Sequence, residues 1–400
     1  MTLPKTFPRF LTPLILLAFV CLTALSMRGM PGKDLAVTYV GCKAVIEGNA
    51  QALYDHERGD LHFRNAKPLW KDIATRAEYH DELMPYVQTP LWAYSLQPLC
   101  ANMDWPSFVD LFNVITAISF AIMGWLSVRH IAKESSPLVL AITLSLLWLS
   151  MPLQYSFFML QTHPIVLLAA IGAMVMANKN RPISAGILLA IAATIKITPI
   201  LLGLYWLITK RWIAFISLGI TCVALLSLTF VWSGTDLTLQ YIQELKYLSG
   251  VALISPGNHS LQAIVISFNV KDLWARDWLA DLPTWLKFLG TALSVGTVAL
   301  AGWLRRQGAS FAPTLTVALL GMTMFAPIAW THYYIVLVVP LAWAISTKRY
   351  FVALLIAAIW PLPHTQIHTL FYLGLAVLAV CIHAAFQERR LHLAQRNEAG

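Results

Sequence analysis

Long apolar stretches alternate with short polar connections along most of the chain. An apolar segment crosses a bilayer as a helix, because a helix satisfies all of its backbone polar groups internally. The pattern therefore predicts an all-α, polytopic helical membrane protein with about 12 transmembrane helices. The predicted spans are 10–27, 108–128, 137–154, 164–177, 183–195, 198–209, 212–232, 285–304, 311–327, 333–347, 350–361 and 366–386.

Several predicted spans are shorter than the ~20 residues that a full crossing needs. The clearest case is 183–209, which lies between two basic clusters and contains Lys196-Ile197-Thr198-Pro199. One long helix would put these clusters on opposite sides of the membrane, whereas two half-helices that turn at Lys196 keep them on one side. Irregular backbone at membrane depth is tolerated only beside protein or a wet cavity, so we expect this turn to line a cavity.

Basic residues cluster after every second apolar stretch. The clusters are Lys5 and Arg9, Arg129 and Lys133, Lys179 and Arg181, Lys210 and Arg211, Arg305 and Arg306, Lys348 and Arg349, and Arg389 and Arg390. Cytoplasmic loops are enriched in Lys and Arg, so both termini are expected in the cytoplasm. The two long polar segments, 28–107 and 233–284, are then extracytoplasmic loops of a single integral-membrane domain, and they hold most of the 19 carboxylates.

The composition agrees with this interpretation. The chain is 58% hydrophobic and 12% charged, whereas about 25% of residues are charged in soluble domains. The cytoplasmic basic clusters account for the net charge of +9, so no nucleic-acid partner is expected. Membrane lipids are the expected surroundings.

Two features near the N-terminus leave alternatives open. Segment 10–27 could be a signal peptide with a cleavage site near Ala24-Leu25-Ser26, but its length favours a retained span. In the first outer loop, apolar residues at helical spacing from 34 to 47 predict a juxtamembrane helix. Cys42 and Cys100 share that loop, and the sequence does not decide whether they form a disulfide.

Polar residues recur at the outer membrane boundary in four short islands. They are Lys33-Asp34, Gln161-Thr162-His163, Gly257-Asn258-His259-Ser260 and Trp330-Thr331-His332-Tyr333-Tyr334. Lys196 adds a cation at the broken segment. Ionisable residues at membrane depth are costly and usually functional, so these residues predict a cavity with one carboxylate, one cation and several imidazoles. The cation suits a lipid phosphate, and the carboxylate suits a hydroxyl acceptor.

The order of these motifs resembles a known family. The matching elements are Asp34-Leu35-x-x-x-Tyr39 ending at Glu47-Gly48, Leu53-Tyr54-Asp55, an aromatic-Pro-Leu segment, Gln161, Ala-Thr-Ile-Lys196-Ile-Thr-Pro199, Gly257-Asn258-His-Ser260 and Trp330-x-His332-Tyr. Together they resemble glycosyltransferase family 87, the polyprenol-phosphate-sugar-dependent transferases of the GT-C superfamily. Two motifs depart from the family pattern: aromatic-Pro-Pro reads Gln88-Thr89-Pro90, and Gly-Gln-x-Asn reads Leu160-Gln161-Thr162-His163.

The resemblance implies a GT-C-like bundle in a bacterial inner membrane, with its active site on the extracytoplasmic face. It implies transfer of a hexosyl (mannosyl-like) or pentosyl residue from a polyprenyl-phosphate donor to a glycan or glycolipid hydroxyl, with inversion. Asp34 would be the catalytic base. The donor-binding residues would be Lys196, His332, Asn258, Ser260 and Gln161. No cofactor is expected, and the lack of a carboxylate cluster predicts that metal is dispensable.

Each assignment has a structural alternative. Asp34 could simply cap a helix, and Lys196 could extend to the membrane interface. Asn258 and Ser260 could only shape a turn. The rival carboxylates Asp104, Asp110, Asp236 and Asp281 flank apolar stretches, as solvated charges would.

Two other functions also fit parts of the pattern. A transporter or lipid flippase would suit the spans and the broken segment, although the chain has no internal repeat. A transferase that uses a pyrophosphate-linked donor would need a second cation, and the sequence offers none at an obvious place.

Overall fold

The computed structural model describes residues 7–57, 67–81, 83–268, 278–362 and 368–398, and these residues are overwhelmingly helical. The first predicted residues of span 366–386, and parts of both outer loops, lie outside the described residues. In the first half of the chain the α-helices are α1 (Phe7–Ser26), α2 (Lys33–Ile46), α3 (Pro68–Arg76), α4 (Pro90–Ser95), α5 (Gln97–Asn102), α6 (Trp105–Leu126), α7 (Pro137–Leu149), α8 (Met151–Met159), α9 (His163–Asn178) and α10 (Pro182–Ile195).

In the second half they are α11 (Leu202–Ile208), α12 (Trp212–Leu248), α13 (Leu261–Ser267), α14 (Thr284–Arg306), α15 (Phe311–Met324), α16 (Val338–Ser346), α17 (Tyr350–Ile359) and α18 (Thr369–Glu398). Short 3₁₀ helices cover Ala50–Tyr54, Thr198–Leu201 and Thr331–Leu337, and a π-helical turn, Ser127–Ile131, extends α6. The all-α class predicted from the sequence is confirmed.

Four helices in the described residues are long and apolar enough to cross a membrane: Trp105–Ile131, Trp212–Leu248, Thr284–Arg306 and Thr369–Gln395. The helices α7 and α8 form a fifth span if they are taken together across their 58° bend. The other apolar helices have 10–17 residues, which is less than a full crossing needs. The structure therefore confirms a multi-span helical protein, but it does not confirm the predicted count of about twelve.

The predicted break at Lys196 is confirmed. Helix α10 ends at Ile195, and Lys196 itself has extended backbone angles, with φ −141° and ψ 125°. A 3₁₀ turn that contains Pro199 follows, and α11 begins at Leu202. Proline has no N–H to continue a helix, and it disfavours helical angles in the residue before it, so the sequence explains why the helix stops here.

The second outer segment begins where α12 bends. Gly234 lies inside α12 with φ 77°, a left-handed conformation that glycine adopts without strain. After this helix, β1 (Val251–Ile254) pairs antiparallel with β2 (Trp278–Asp281), with Val251 opposite Asp281. The sequence did not predict this small sheet. Strand β1 packs against α13.

The first outer loop packs tightly around α2. Cys42 of α2 and Cys100 of α5 are joined in a disulfide, which resolves the question that the sequence left open. The Tyr39 hydroxyl donates to the carbonyl of Met103 at 2.8 Å, and its ring lies 4.9 Å from that of Phe108. These contacts fasten α2 to the start of α6. They fix the position of the first turn of α2, which carries Asp34.

Candidate functional site

Asp34 lies in the first turn of α2, but it does not cap that helix. The N-cap is Gly32, with φ 61° and no side-chain cap. The Gly32 amide donates to the carbonyl of Phe158 at 3.1 Å, which docks the turn on the end of α8. Leu160, the C-cap of α8, also has a left-handed backbone, with φ 48°. These two left-handed positions bring Asp34 beside Gln161.

Gln161 bridges Asp34 to Lys196. Its amide Nε2 donates to Asp34 Oδ2, and its Oε1 accepts from Lys196 Nζ at 2.8 Å. A carboxylate only accepts and an ammonium only donates, so this is the amide orientation that satisfies both groups. Lys196 Nζ also donates to the Tyr333 hydroxyl at 2.9 Å and lies 4.5 Å from the centre of that ring. The four side chains form a continuous polar chain, and each is partly accessible.

The surroundings of Asp34 favour a base that works near neutral pH. Burial of its carboxyl group raises the pKa from 3.8 to about 7, and the nearby charge of Lys196 opposes part of that rise. A general base is most effective when its pKa lies close to the working pH. Asp34 is therefore able to accept a proton from a substrate hydroxyl under neutral conditions.

Two imidazoles pack against the Tyr333 ring. The His163 ring stacks on the Tyr333 ring at a centroid distance of 4.1 Å, and the His332 ring meets it edge-on at 4.7 Å. The two imidazoles lie 5.6 Å apart. His332 is 0% exposed and His163 is 9% exposed. None of their four ring nitrogens has a hydrogen-bond partner among the described residues.

Asn258 lies beside this cluster, with its polar atoms already engaged. Its Nδ2 donates to the carbonyl of Leu253 at 2.6 Å, and its Oδ1 accepts from the backbone of Ala329 at 2.8 Å. Asn258 also forms an isolated β-bridge with Trp330. These contacts show that Asn258 ties the second outer loop to the segment before His332.

Ser260 is engaged in a similar way. Its hydroxyl donates to the carbonyl of Pro327 at 3.0 Å and accepts from the amide of Ala263 at 3.1 Å, so it caps α13. This geometry corresponds to the turn-shaping alternative for Asn258 and Ser260. Direct donor contact by these two residues stays a prediction.

His259 completes the connection between the two loops. Its amide donates to the carbonyl of Ala329 at 2.8 Å, and its carbonyl accepts from the Tyr334 hydroxyl at 2.7 Å. Its ring nitrogen lies 3.2 Å from the Thr331 hydroxyl. His259 therefore contacts Thr331 and Tyr334, which lie before and after His332 in the sequence. The sequence alone could not show these contacts.

The rival carboxylates lie outside the polar chain. Asp104 caps α6, and Asp110 forms an exposed ion pair with Arg28 at 3.4 Å. Asp236 and Asp281 are exposed.

One buried carboxylate was not anticipated. Glu244 on α12 lies 3.4 Å from His56 of the first outer loop, and both side chains are nearly buried. The pair joins the two outer loops, which gives Glu244 a structural role.

The structure brings together Asp34, Gln161, Lys196 and His332 from the sequence-based prediction. It adds Tyr333 and His163, which stand in the same polar islands but were not chosen. Tyr333 directly follows His332, and His163 lies two residues after Gln161. This proximity in sequence was the signal that could have identified them. Within the described ranges, no group of three or more His, Cys, Asp or Glu side chains could hold a metal ion.

The fold and this polar cluster define a multi-span membrane protein that combines a partly buried carboxylate with a cation at the break between two short apolar helices. Comparison with family models matches residues 86–327 to glycosyltransferase family 87. The chain belongs to glycosyltransferase family 87, and it is a membrane glycosyltransferase. Membership of this family favours an enzyme over the transporter or lipid flippase that also fitted the sequence pattern.

Among curated proteins, the chain is similar to the polyprenol-phosphate-mannose-dependent alpha-(1-2)-phosphatidylinositol pentamannoside mannosyltransferase of Mycolicibacterium smegmatis. The two are 26% identical over 349 residues, which cover 83% of this chain and 75% of that relative. No solved structure matches the chain significantly.

Proposed function

We propose that this protein transfers a mannosyl-like hexosyl residue, or a pentosyl residue, from a polyprenyl-phosphate donor to a glycan or glycolipid hydroxyl. The observation that carries the proposal is the polar chain from Asp34 through Gln161 to Lys196. It holds a proton acceptor and a cation together at the end of a broken membrane helix. The name of the similar Mycolicibacterium enzyme supports a lipid-linked mannose as the donor.

In the proposed reaction, Asp34 removes the proton from the acceptor hydroxyl as its oxygen attacks the anomeric carbon of the sugar. The bond between that carbon and the phosphate oxygen breaks, and the electron pair leaves with the polyprenyl phosphate. The pKa of about 7 for Asp34 matches this role, because the carboxylate is then available near neutral pH and holds the proton once it has been transferred.

Lys196 would bind the phosphate of the donor. The leaving polyprenyl phosphate gains negative charge as the bond breaks, and a fixed cation stabilises charge that develops in a transition state. Two of the three ammonium donors are directed to Gln161 and Tyr333, which hold the cation in place and leave one donor for a phosphate oxygen. Lys196 is the cation that the described residues place in the cluster, and one cation suits a monophosphate better than a pyrophosphate.

The number of carboxylates in the cluster supports inversion at the anomeric carbon. Retention through a covalent intermediate uses one carboxylate as nucleophile and another as acid and base, about 5–5.5 Å apart. Among the described residues of the cluster, Asp34 is the carboxylate. One base, on the face of the sugar opposite the phosphate, gives inversion. Independence from metal ions stays a prediction.

The positive clusters support a topology with both termini in the cytoplasm and Asp34 on the extracytoplasmic face of a bacterial inner membrane. The disulfide between Cys42 and Cys100 supports the same side, because disulfides persist in oxidising compartments. The acceptor hydroxyl would then reach Asp34 from outside the cell membrane.

A transfer assay tests the proposed function. Purified protein in liposomes is given radiolabelled polyprenyl-phosphate-mannose and a glycolipid extract, with EDTA present. We expect label in the glycolipid fraction and inverted stereochemistry in the product. Labelling from a nucleotide sugar but not from the polyprenyl-phosphate sugar would refute the proposed donor, and loss of transfer in EDTA would refute metal independence.

A further inference from the structure

The imidazoles of His163 and His332 present four ring nitrogens without hydrogen-bond partners among the described residues. Buried polar groups are normally satisfied, and each one left unsatisfied costs free energy. Four unsatisfied nitrogens on two neighbouring rings, whose centres are 5.6 Å apart, are therefore more than a local packing fault. They are therefore available to the polar groups of a ligand.

The chemistry of the imidazoles indicates which groups these are. Burying a charge without a paired counter-charge is costly, which favours the neutral form of both rings. Each neutral imidazole then offers one N–H donor and one acceptor nitrogen. An ionised phosphate oxygen only accepts, and would leave the acceptor nitrogens unsatisfied. A sugar hydroxyl both donates and accepts, so adjacent hydroxyl groups can satisfy both kinds of nitrogen.

The neighbours of the imidazoles fit a sugar beside a phosphate. Tyr333 covers both rings, since it stacks on His163 and meets His332 edge-on, and its hydroxyl accepts from Lys196. Tyr333 is partly exposed, so both buried imidazoles contact a solvent-accessible side chain that also contacts the cation. The Tyr155 ring also lies 5.8 Å from the His332 ring, in a stacked orientation. Aromatic faces and polar edges together suit a sugar ring.

We propose that His163 and His332 form the subsite that binds the hydroxyl groups of the donor sugar, while Lys196 binds the phosphate. The subsite rests on the proposed function, because it requires a polyprenyl-phosphate sugar as donor. It makes His163, which was not among the donor-binding residues predicted from the sequence, a sugar-binding residue.

The test compares binding of two lipids that differ only in the sugar: polyprenyl-phosphate-mannose and polyprenyl phosphate. His163→Phe keeps a ring stacked on Tyr333 but removes both nitrogens. We expect it to weaken binding of the mannose lipid roughly 10- to 100-fold, from two lost hydrogen bonds, and to change binding of polyprenyl phosphate less than about twofold. His163→Asn keeps one donor and one acceptor, and should recover most of the lost affinity.

Each other outcome contradicts a particular claim. Equal weakening of both lipids by His163→Phe would place the imidazoles on the phosphate and overturn the subsite. Unchanged binding of both lipids would reduce His163 to a packing residue. A wild-type protein that binds neither lipid would refute the proposed function itself. A misfolded His163→Phe protein would be recognised by its thermal transition, and His163→Leu, which also lacks both ring nitrogens, then carries the comparison of the two lipids.

Discussion

Replacing Lys196 with Met removes the cation of the site while keeping a flexible side chain of similar length. The ammonium has three donors, and Gln161 and Tyr333 take two of them at 2.8 and 2.9 Å. The third is left for a phosphate oxygen. A hydrogen bond to a charged group contributes about 1.5–3 kcal/mol, so Lys196→Met should weaken binding of polyprenyl phosphate roughly 10- to 150-fold.

Thermal stability with and without polyprenyl phosphate measures this effect. A ligand at 100 times its Kd stabilises the folded protein by about 2.7 kcal/mol. If Lys196→Met weakens binding about 100-fold, the same lipid concentration equals the new Kd and stabilises the variant by only about 0.4 kcal/mol. Lys287→Met is the matched control, because Lys287 is an exposed lysine at the predicted outer boundary, where its Nζ lies 3.4 Å from the Ser249 hydroxyl.

A second readout of the same variant is the pH dependence of transfer. The charge of Lys196 lowers the pKa of Asp34, so its removal should move the acidic limb of kcat/KM to higher pH. Lys287→Met should leave that limb in place. If polyprenyl phosphate stabilised wild type and Lys196→Met equally, Lys196 would only reach toward the interface and the phosphate site would lie elsewhere.

Three further predictions concern pH, the bridge and the topology. Because Asp34 must be deprotonated to act as a base, kcat/KM should rise about tenfold per pH unit below about 7 and level off above it, and a profile that stays flat from pH 5 to 8 would exclude this base. Gln161→Leu removes a donor to the Asp34 carboxylate, so the pH profile of transfer should show the acidic limb at higher pH, whereas an unmoved limb would deny the bridge a role. In a background without the free cysteines, Lys71→Cys should react with impermeant thiol reagents in intact cells and Lys348→Cys should not; the reverse pattern would invert the topology.

The broken helix and the elements of the site could be predicted from the sequence because their signals are local. Pro199 disrupts a helix through its own ring and missing N–H, whatever the tertiary contacts are. Lys196 is conspicuous because a cation in an apolar stretch is costly. Asp34 likewise stands out just after an apolar run. All three residues can be recognised without knowing which helices pack together.

The remaining features depend on contacts between distant parts of the chain. Gln161 was placed with the donor, but its bridging role depends on the left-handed turns at Gly32 and Leu160, which set α2 against α8. The engaged side chain of Asn258 depends on pairing with residues about seventy positions away. The number of spans cannot be counted from hydropathy alone, because several apolar helices are too short to cross a membrane by themselves.

The proposed reaction depends on Asp34 as the base in transfer from a polyprenyl-phosphate sugar. The most direct measurement compares wild type with Asp34→Asn for both sugar transfer and donor binding, in liposomes at pH 8. The amide cannot accept the proton, so we expect transfer to fall ~10²–10⁴-fold while the Kd for polyprenyl-phosphate-mannose changes little. The buried carboxylate destabilises the folded protein increasingly as pH rises from about 4 to 7, so at pH 8 the variant should be at least as stable as wild type. Transfer by Asp34→Asn at the wild-type rate would exclude Asp34 as the base.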